Sequence, residues 1–414
     1  MEKTIQQSII FFTTCCIFSQ VSGNILTIGA VGDVLIQREL QVQASQSALR
    51  FRELWKHVAP LMKAVDVTYA NMEGPMASTL INPTSLKEEC EEIETNDDLY
   101  FDGKIYTGYS QFNYHPSLAE DLAEDGVDIV STANNHVLDR CSKGINLTLD
   151  ALTSAGVKYT GTRQSEDEPW HTVTRWQGIS VAWLACTQSG GDIQKDAIRS
   201  SNFVLRCDDT DYISSMVRTL ASAYDTVIVT PHWGHEFILL NQSYIDKAHH
   251  WLEAGATAVI GNHPHITEMI EEYATRNGRR TVIAYSLGNF ISHMGYGIYY
   301  KRKDKFYPRL RASPFLLIKL RRTTDGPTVL DSIRYVPLFV RRTPPKPCNG
   351  CKCPKPFGET IPRDIQSCAR FHVLPTNNSI PGVGEEAFKI LTSVLGTENC
   401  LSFNQALEWI EDNN

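Results

Sequence analysis

A chain of 414 residues is long enough for one large or two ordinary domains, and an apolar share of 42% supplies a core, which excludes a disordered protein. The formal net charge of −8 is mild for this length and gives no reason to expect nucleic acid as a partner. Charge is uneven all the same: acidic residues crowd Lys87 to Asp98 and basic ones gather between Arg302 and Arg322, patterns that most often mark a solvated face.

Residues 1–23 read as a signal peptide, with Lys3 in a short polar start, an apolar stretch from Ile9 to Phe18, and small residues at Ser22 and Gly23 before a cut. The apolar stretch is too short to span a bilayer comfortably, and no later segment approaches that length. The expected product is a secreted or lumenal protein with no transmembrane segment in its mature chain; an uncleaved signal anchor is the alternative.

The mature chain opens with the apolar run Ile25 to Val31, a central strand stopping at Gly32-Asp33. Leu49, Leu54, Trp55, Val58 and Leu61 follow at helical spacing, and a strand from Val65 to Ala70 delivers Asn71-Met72-Glu73-Gly74-Pro75. The acidic stretch from Met76 to Phe112 has no period and reads as a long loop of the kind that covers a site. A helix near Ser117 to Glu124, a strand from Val127 to Val130 and a helix from Gly144 to Ala155 ending at Gly156 restore βαβ rhythm. Short runs near Val173 and from Ile179 to Leu184 lie too close together for another crossover and suit a second sheet. Helices over Thr210 to Ala223 and Tyr244 to Ala254 alternate with strands ending at His232 and Gly261. A further strand and turn runs from Thr281 to Phe290, and Phe315 to Leu320 with Val329 to Val336 looks like an antiparallel pair closing the sheet. After Val340 proline and cysteine dominate, which divides the mature chain into a domain over 24–340 and an extension over 341–414.

Nine cysteines remain after the signal peptide, so at least one is unpaired or paired between chains. Cys348, Cys351, Cys353 and Cys368 could form a small metal knot, but an oxidising compartment favours disulfides. Asn146, Asn241 and Asn377 head glycosylation triplets.

Chemistry concentrates at strand ends. The stretch Ser131-Thr132-Ala133-Asn134-Asn135-His136-Val137-Leu138-Asp139 follows a buried-looking strand, and the crevice outside the carboxyl ends of strands is where α/β proteins bind ligands. An Asx turn capping the next helix would explain it alone. The pattern recurs, however, at His232-Trp233-Gly234-His235-Glu236 and at Asn262-His263-Pro264-His265. With Asp33 and Glu73, these ends offer imidazole, carboxylate and amide oxygen, the ligands of Zn, Mn, Fe or Mg, and no thiol. His263 and His265 can share one cavity only if the chain turns at Pro264.

The motifs Gly32-Asp33, Asn71 to Pro75, Asn134 to Asp139, Pro231 to Glu236, Gly261 to His265 and Tyr285-Ser286-Leu287-Gly288-Asn289-Phe290 together resemble the CapA family of poly-γ-glutamate capsule synthesis proteins, within the calcineurin-like metallophosphoesterase superfamily. The resemblance covers about Ile25 to Val340. It implies a four-layer αββα fold with two mixed β-sheets, and one or two divalent metal ions held by Asp33, Glu73, Asn135, His232, His235, His263 and His265. It also implies that His136 faces the substrate; with Asn135 and Asp139 it makes up the expected catalytic group, His136 being the candidate acid for the leaving group. Trp233, Glu236, Asn289 and Phe290 are the expected substrate-binding residues, though packing explains the aromatic ones equally well. One departure stands out: the superfamily pairs its first Asp with a His two residues on, where this chain has Leu35.

Three functions fit. The first is a secreted CapA-type protein acting in synthesis, export or processing of poly-γ-glutamate or a similar anionic polymer. The second is a metal-dependent phosphoester hydrolase unrelated to polyglutamate, and the third a non-catalytic module that binds an anionic polymer.

Overall fold

The computed structural model describes residues 24–81, 90–94, 101–188, 195–295, 308–323, 326–343, 370–377, 379 and 382–411. The expected signal peptide, the cysteine cluster from Cys348 to Cys368 and the basic residues Arg302, Lys303 and Lys305 lie outside them.

The chain begins with β1 (Ile25–Val34), α1 (Arg38–Ser45), a 3-10 turn at Arg50–Leu54, α2 (Ala59–Ala64) and β2 (Val67–Met72). The two-residue strands β3 (Leu80–Ile81) and β4 (Glu91–Glu92) pair within the long loop, and then come α3 (Ser117–Glu124), β5 (Ile129–Ser131), α4 (Cys141–Ala155) and β6 (Lys158–Thr160). The middle of the chain holds β7 (Thr172–Trp176), β8 (Ile179–Thr187), α5 (Lys195–Ser200), α6 (Thr210–Ala223), β9 (Thr226–His232), α7 (Gln242–Ala254) and β10 (Ala258–Ile260). It ends with β11 (Ile270–Ala274), β12 (Arg280–Ala284), β13 (Asn289–Ile291), β14 (Ala312–Arg322), β15 (Thr328–Thr343), β16 (Arg370–Pro375), α8 (Val383–Leu395) and α9 (Phe403–Glu411).

Two mixed sheets result. The first has the order β16-β15-β14-β1-β2-β5-β6 with β13 also on β1; the second runs β11-β12-β10-β9-β8-β7. β1, β2, β5 and β6 are mutually parallel, as are β8, β9, β10 and β12; β14, β15 and β16 extend the first sheet antiparallel on one side, and β7 and β11 flank the second antiparallel. The sheets face each other across an apolar layer of Leu26, Ile28, Tyr69, Trp183, Ile228 and Ile260, with Tyr69 stacked on Trp183 at 5.6 Å between ring centroids. Side chains of α2, α3, α4 and α9 cover the outer face of the first sheet, and those of α6 and α7 cover the second. This is the four-layer αββα order, and it explains why the central strands read as unbroken apolar runs: β1 and β8 are buried on both faces.

The structure differs from the sequence-based expectation in having α1, α5, α8 and α9, and also between Leu49 and Leu61, at β11 and after Val340. The helical spacing from Leu49 to Leu61 is split, because Arg50 sits at φ 51 and Pro60 starts a new helix, giving a 3-10 turn and then α2. The polar strand β11 has no buried apolar face to announce it, since it lies at the sheet edge and is at most half-buried. The composition change after Val340 falls inside β15, not at the end of the domain. β16 then returns to pair with β15 antiparallel, burying Phe371 and Val373, so residues 370–375 complete the first sheet rather than forming a separate tail.

Candidate metal centre

The parallel strands of both sheets end at one place. β1 delivers Asp33, β2 leads through Asn71 to Glu73, β5 leads to Asn134, Asn135 and His136, β9 ends at His232, and β10 leads to Asn262, His263 and His265. Two glycines make the approach possible. A Cβ on Gly32 would lie 1.8 Å from the Gly288 carbonyl oxygen, and one on Gly261 would lie 2.1 Å from that of Tyr285. Without side chains there, the Asp33 amide donates to Gly288 O (2.9 Å) and the Gly261 amide to Ala284 O (2.7 Å).

Asp33 Oδ2 lies 2.9 Å from Nδ1 of His265, and its Oδ1 accepts from the Asn71 amide at 2.8 Å. Asn289 Oδ1 is 3.0 Å from the same Nδ1. Two acceptors on Nδ1 fix a proton there, so Nε2 is the ring atom turned toward Glu73, 3.7 Å from its Oε1. His232 Nε2 stands 2.9 Å from Asn135 Oδ1 and 3.7 Å from the same Glu73 oxygen. The ring centroids of His232 and His263 are 4.6 Å apart, those of His263 and His265 5.9 Å. Pro264 does stand at a turn: His263 (φ 99) and His265 (φ 59) both adopt the left-handed region, which folds the chain back and brings both rings to one side.

Glu73 is the middle of this cluster and is fully buried. Neither of its carboxylate oxygens has a hydrogen bond, and Nδ1 of His263 and Oδ1 of Asn71 are equally unpartnered. Buried polar atoms are nearly always satisfied, so four orphaned lone-pair atoms in one place fit a cation. Ligand atoms of Glu73, His263 and His265 lie within 4.8 Å of one another, as do those of Asp33, Glu73 and His232. Burial pushes the Glu73 carboxyl up to about 8, with the charge of Asp33 adding to it and that of His265 opposing it. Burial also holds His232 and His263 well below the usual imidazole range, keeping both neutral. At His265 burial acts the same way, but the carboxylates of Glu73 and Asp33 outweigh it and raise the ring to about 10. His232 and His263 are thus neutral, whereas His265 holds, against the Glu73 and Asp33 carboxylates, a proton that a divalent ion would displace; carboxylate with imidazole is the donor set of a borderline divalent ion.

His136 stands beside this cluster and is somewhat more open, its side chain 14% exposed. Its Nδ1 donates to Asp139 Oδ2 at 2.8 Å, and the same oxygen accepts from the Phe112 amide at 2.6 Å. The Phe112 ring packs edge-on against the imidazole with centroids 4.6 Å apart. Buried Arg140 ties this corner together by donating to the carbonyls of Leu80, Ile105 and Asp139.

Several expected residues fall elsewhere. His235 is exposed beyond Gly234 (φ 88), which turns the chain away after β9, and it belongs to neither group of converging ligand atoms. Glu236 is half-buried on the same loop, near enough for its charge to act on Glu73 and His265. Trp233 is a packing residue instead of a pocket wall: it stacks on Trp251 and Tyr285 and donates its indole N–H to the Tyr285 carbonyl. Phe290 is likewise buried, against Trp55. Asn289 holds His265, donating its amide to the His265 and Leu310 carbonyls. Leu35 is a core residue whose amide bonds Ile291 O, so that position adds no nitrogen beside Asp33. Reading by motif leaves Asn71, Asn134 and Phe112 without roles. Asn71 joins Asp33 to His232, its amide lying 3.3 Å from Nδ1 of His232, and its place two residues before Glu73 was the available signal. Asn134 ties the Met72 carbonyl to the His136 amide.

Fold and site together define a four-layer α/β protein with a buried carboxylate–imidazole cluster where two sheets meet. The chain belongs to the bacterial capsule synthesis protein PGA_cap family, whose profile matches residues 27–294. It is 25% identical over 323 residues to the PGA biosynthesis protein CapA of Bacillus subtilis, covering 76% of each chain. It is 26% identical over 336 residues to the capsule biosynthesis protein CapA of Bacillus anthracis, covering 78% of this chain and 69% of the relative. Among solved structures it is similar to a hypothetical protein from Thermus thermophilus (TM-score 0.41, 15% identity, covering 75% of this chain and 99% of that one). It is also similar to the calcineurin-like phosphoesterase YfkN from Bacillus subtilis (TM-score 0.37, 12% identity, 94% and 99%).

Two disulfides, Cys90–Cys141 and Cys186–Cys207, are present, and Cys400 is free among the described residues. Such bonds persist in oxidising compartments. No described helix is long and apolar enough to cross a membrane. Asn146, Asn241 and Asn377 are exposed.

Proposed function

We propose that this chain is a secreted CapA-type protein whose centre is a metal-dependent hydrolase site acting on poly-γ-glutamate or a similar anionic polymer, in its synthesis, export or processing. The observation that carries this reading is Glu73, a fully buried carboxylate with both oxygens unbonded between three histidines. Glu73, His263, His265 and His232 would hold a divalent ion, with Asp33 and Asn135 completing the set. What such an ion supplies is Lewis acidity, polarising a carbonyl or phosphoryl oxygen and acidifying water. His265 keeps its Nδ1 proton on Asp33 and Asn289, which orients Nε2 toward Glu73. His136, held by Asp139, would give a proton to the leaving group. Family membership and the relatives' names support the polymer; the two disulfides and the apolar segment from Ile9 to Phe18 support secretion.

The test is metal content by mass spectrometry on protein purified without chelator, beside the Glu73→Gln variant. About one divalent ion per chain in the wild type and a marked loss in the variant are expected; a metal-free wild type sinks the reading. Offering γ-linked glutamate oligomers and a panel of phosphoesters then decides the bond. Cleavage of phosphoesters alone replaces the polymer, and binding of the oligomers without cleavage replaces the enzyme with a binding module.

A further inference from the structure

Exposed apolar side chains flank the centre on two sides, beside His265 and, through Phe112, beside His136. Beyond β9, Phe237, Ile238 and Leu239 are 38%, 59% and 56% exposed, three consecutive large apolar residues. The loop that presents them is held firmly. The Phe237 amide donates to Pro264 O (2.9 Å), the Ile238 amide to His235 O (3.2 Å), and the Leu240 amide to the Glu268 carboxylate (3.1 Å). Phe237 itself sits at φ 65, a conformation bulky residues rarely adopt, with its ring centroid 6.0 Å from that of His265. On the His136 side, Tyr109 is 69% exposed and packs edge-on against Phe112, the ring that covers His136. Next to it Gly108 lies against the backbone of Arg38, a half-buried residue whose guanidinium is 5.9 Å from the Phe101 ring.

We infer that these two rims are subsites for an extended amphipathic chain lying across the centre, with apolar segments on Phe237 and on Tyr109 and an anionic group of the chain toward Arg38. The inference rests on the proposed polymer substrate and specifies how it is held. A γ-linked glutamate chain has the required alternation: two methylenes and an amide in each backbone unit, with one carboxylate projecting. A net charge of −8 gives a polyanion no attraction to the chain as a whole, which gives weight to contacts of this local kind. Apolar contact with a ring is also indifferent to register, which suits a repeating substrate.

The experiment titrates γ-linked glutamate oligomers of graded length into the full chain as purified, with metal content measured on each sample. The variants are Phe237→Ser, Tyr109→Ser, their combination and Phe237→Leu, beside Tyr212→Ser, an exposed aromatic on α6. Wild-type affinity is expected to rise with oligomer length. Each Ser variant should lose about tenfold for the long oligomers, and the double variant should lose the length dependence. Phe237→Leu, which keeps most of the apolar area, and Tyr212→Ser should bind as the wild type does. Unchanged affinity in both Ser variants at every length overturns the inference, as does a wild type that binds no oligomer while retaining its metal. Rim-dependent binding by a metal-free protein would uphold the rims and remove the hydrolase reading instead.

Discussion

At the scale of single residues, the centre is built from side chains whose surroundings set their protonation. Asp139 is an example of action through another group: it takes the Nδ1 proton of His136 and the Phe112 amide on one oxygen. Asp139→Asn keeps an acceptor for the amide but no longer stabilises a charged imidazole. Turnover of whichever substrate is cleaved should fall about 10- to 100-fold with metal content unchanged, measured as kcat beside mass spectrometry. Glu268 gives a prediction of another kind. Burial pushes its carboxyl up to about 7, although the Leu240 amide bond works against this. An acid raised on folding is ionised in the unfolded chain before it is ionised in the folded one, so stability falls as pH rises from about 4.5 to about 7. The melting temperature of Glu268→Gln should therefore gain on the wild type between about pH 5 and pH 8. Equal differences at both ends of that range would show that the group ionises normally.

At the scale of elements, the loop between β2 and α3 is fastened at the point where it matters. Cys90–Cys141 joins positions 51 residues apart, and Cys141 directly follows the Asp139-Arg140 pair that holds His136 and the loop carbonyls. Loop-closure entropy gives this bond about 4 kcal/mol. Cys90→Ser with Cys141→Ser should lower denaturant stability by up to that amount, and activity should fall before the global transition as the Phe112 corner loosens. Coincident loss of activity and structure would place the effect on the whole fold. Strand ends were the legible part of the sequence at this scale. Asp33, Glu73, His232 and His263 follow within a few residues of runs that read as central strands, and such strands carry the residues at their carboxyl ends to a common edge. Short or polar elements were not legible. Helix α1 lacks a clear apolar stripe, β11 is a half-buried edge, and β16 lies beyond a stretch whose prolines suggested a boundary.

Across the whole molecule, the centre straddles the two sheets: Asp33, Glu73 and Asn135 come from the first, His232, His263 and His265 from the second. An ion bound there ties the layers together, and binding to the native state alone raises stability by RT ln(1 + [L]/Kd). Removing it with a strong chelator should lower the melting temperature by the equivalent of about 3 to 4 kcal/mol at saturating ion, and re-adding the ion should restore it. A melting temperature indifferent to chelation would separate the cluster from any metal.

The order of the central strands and the longer helices between them, the second sheet and the identity of the polar strand-end residues were determined by sequence alone, because apolar period and turn chemistry act over a few residues. Which of those residues meet was decided only by tertiary structure. The bend after His232 that excludes His235, the stacking that turns Trp233 into core, and the left-handed turns that bring His263 and His265 together all depend on contacts between segments distant in the chain. Local pattern carries no information about such distances.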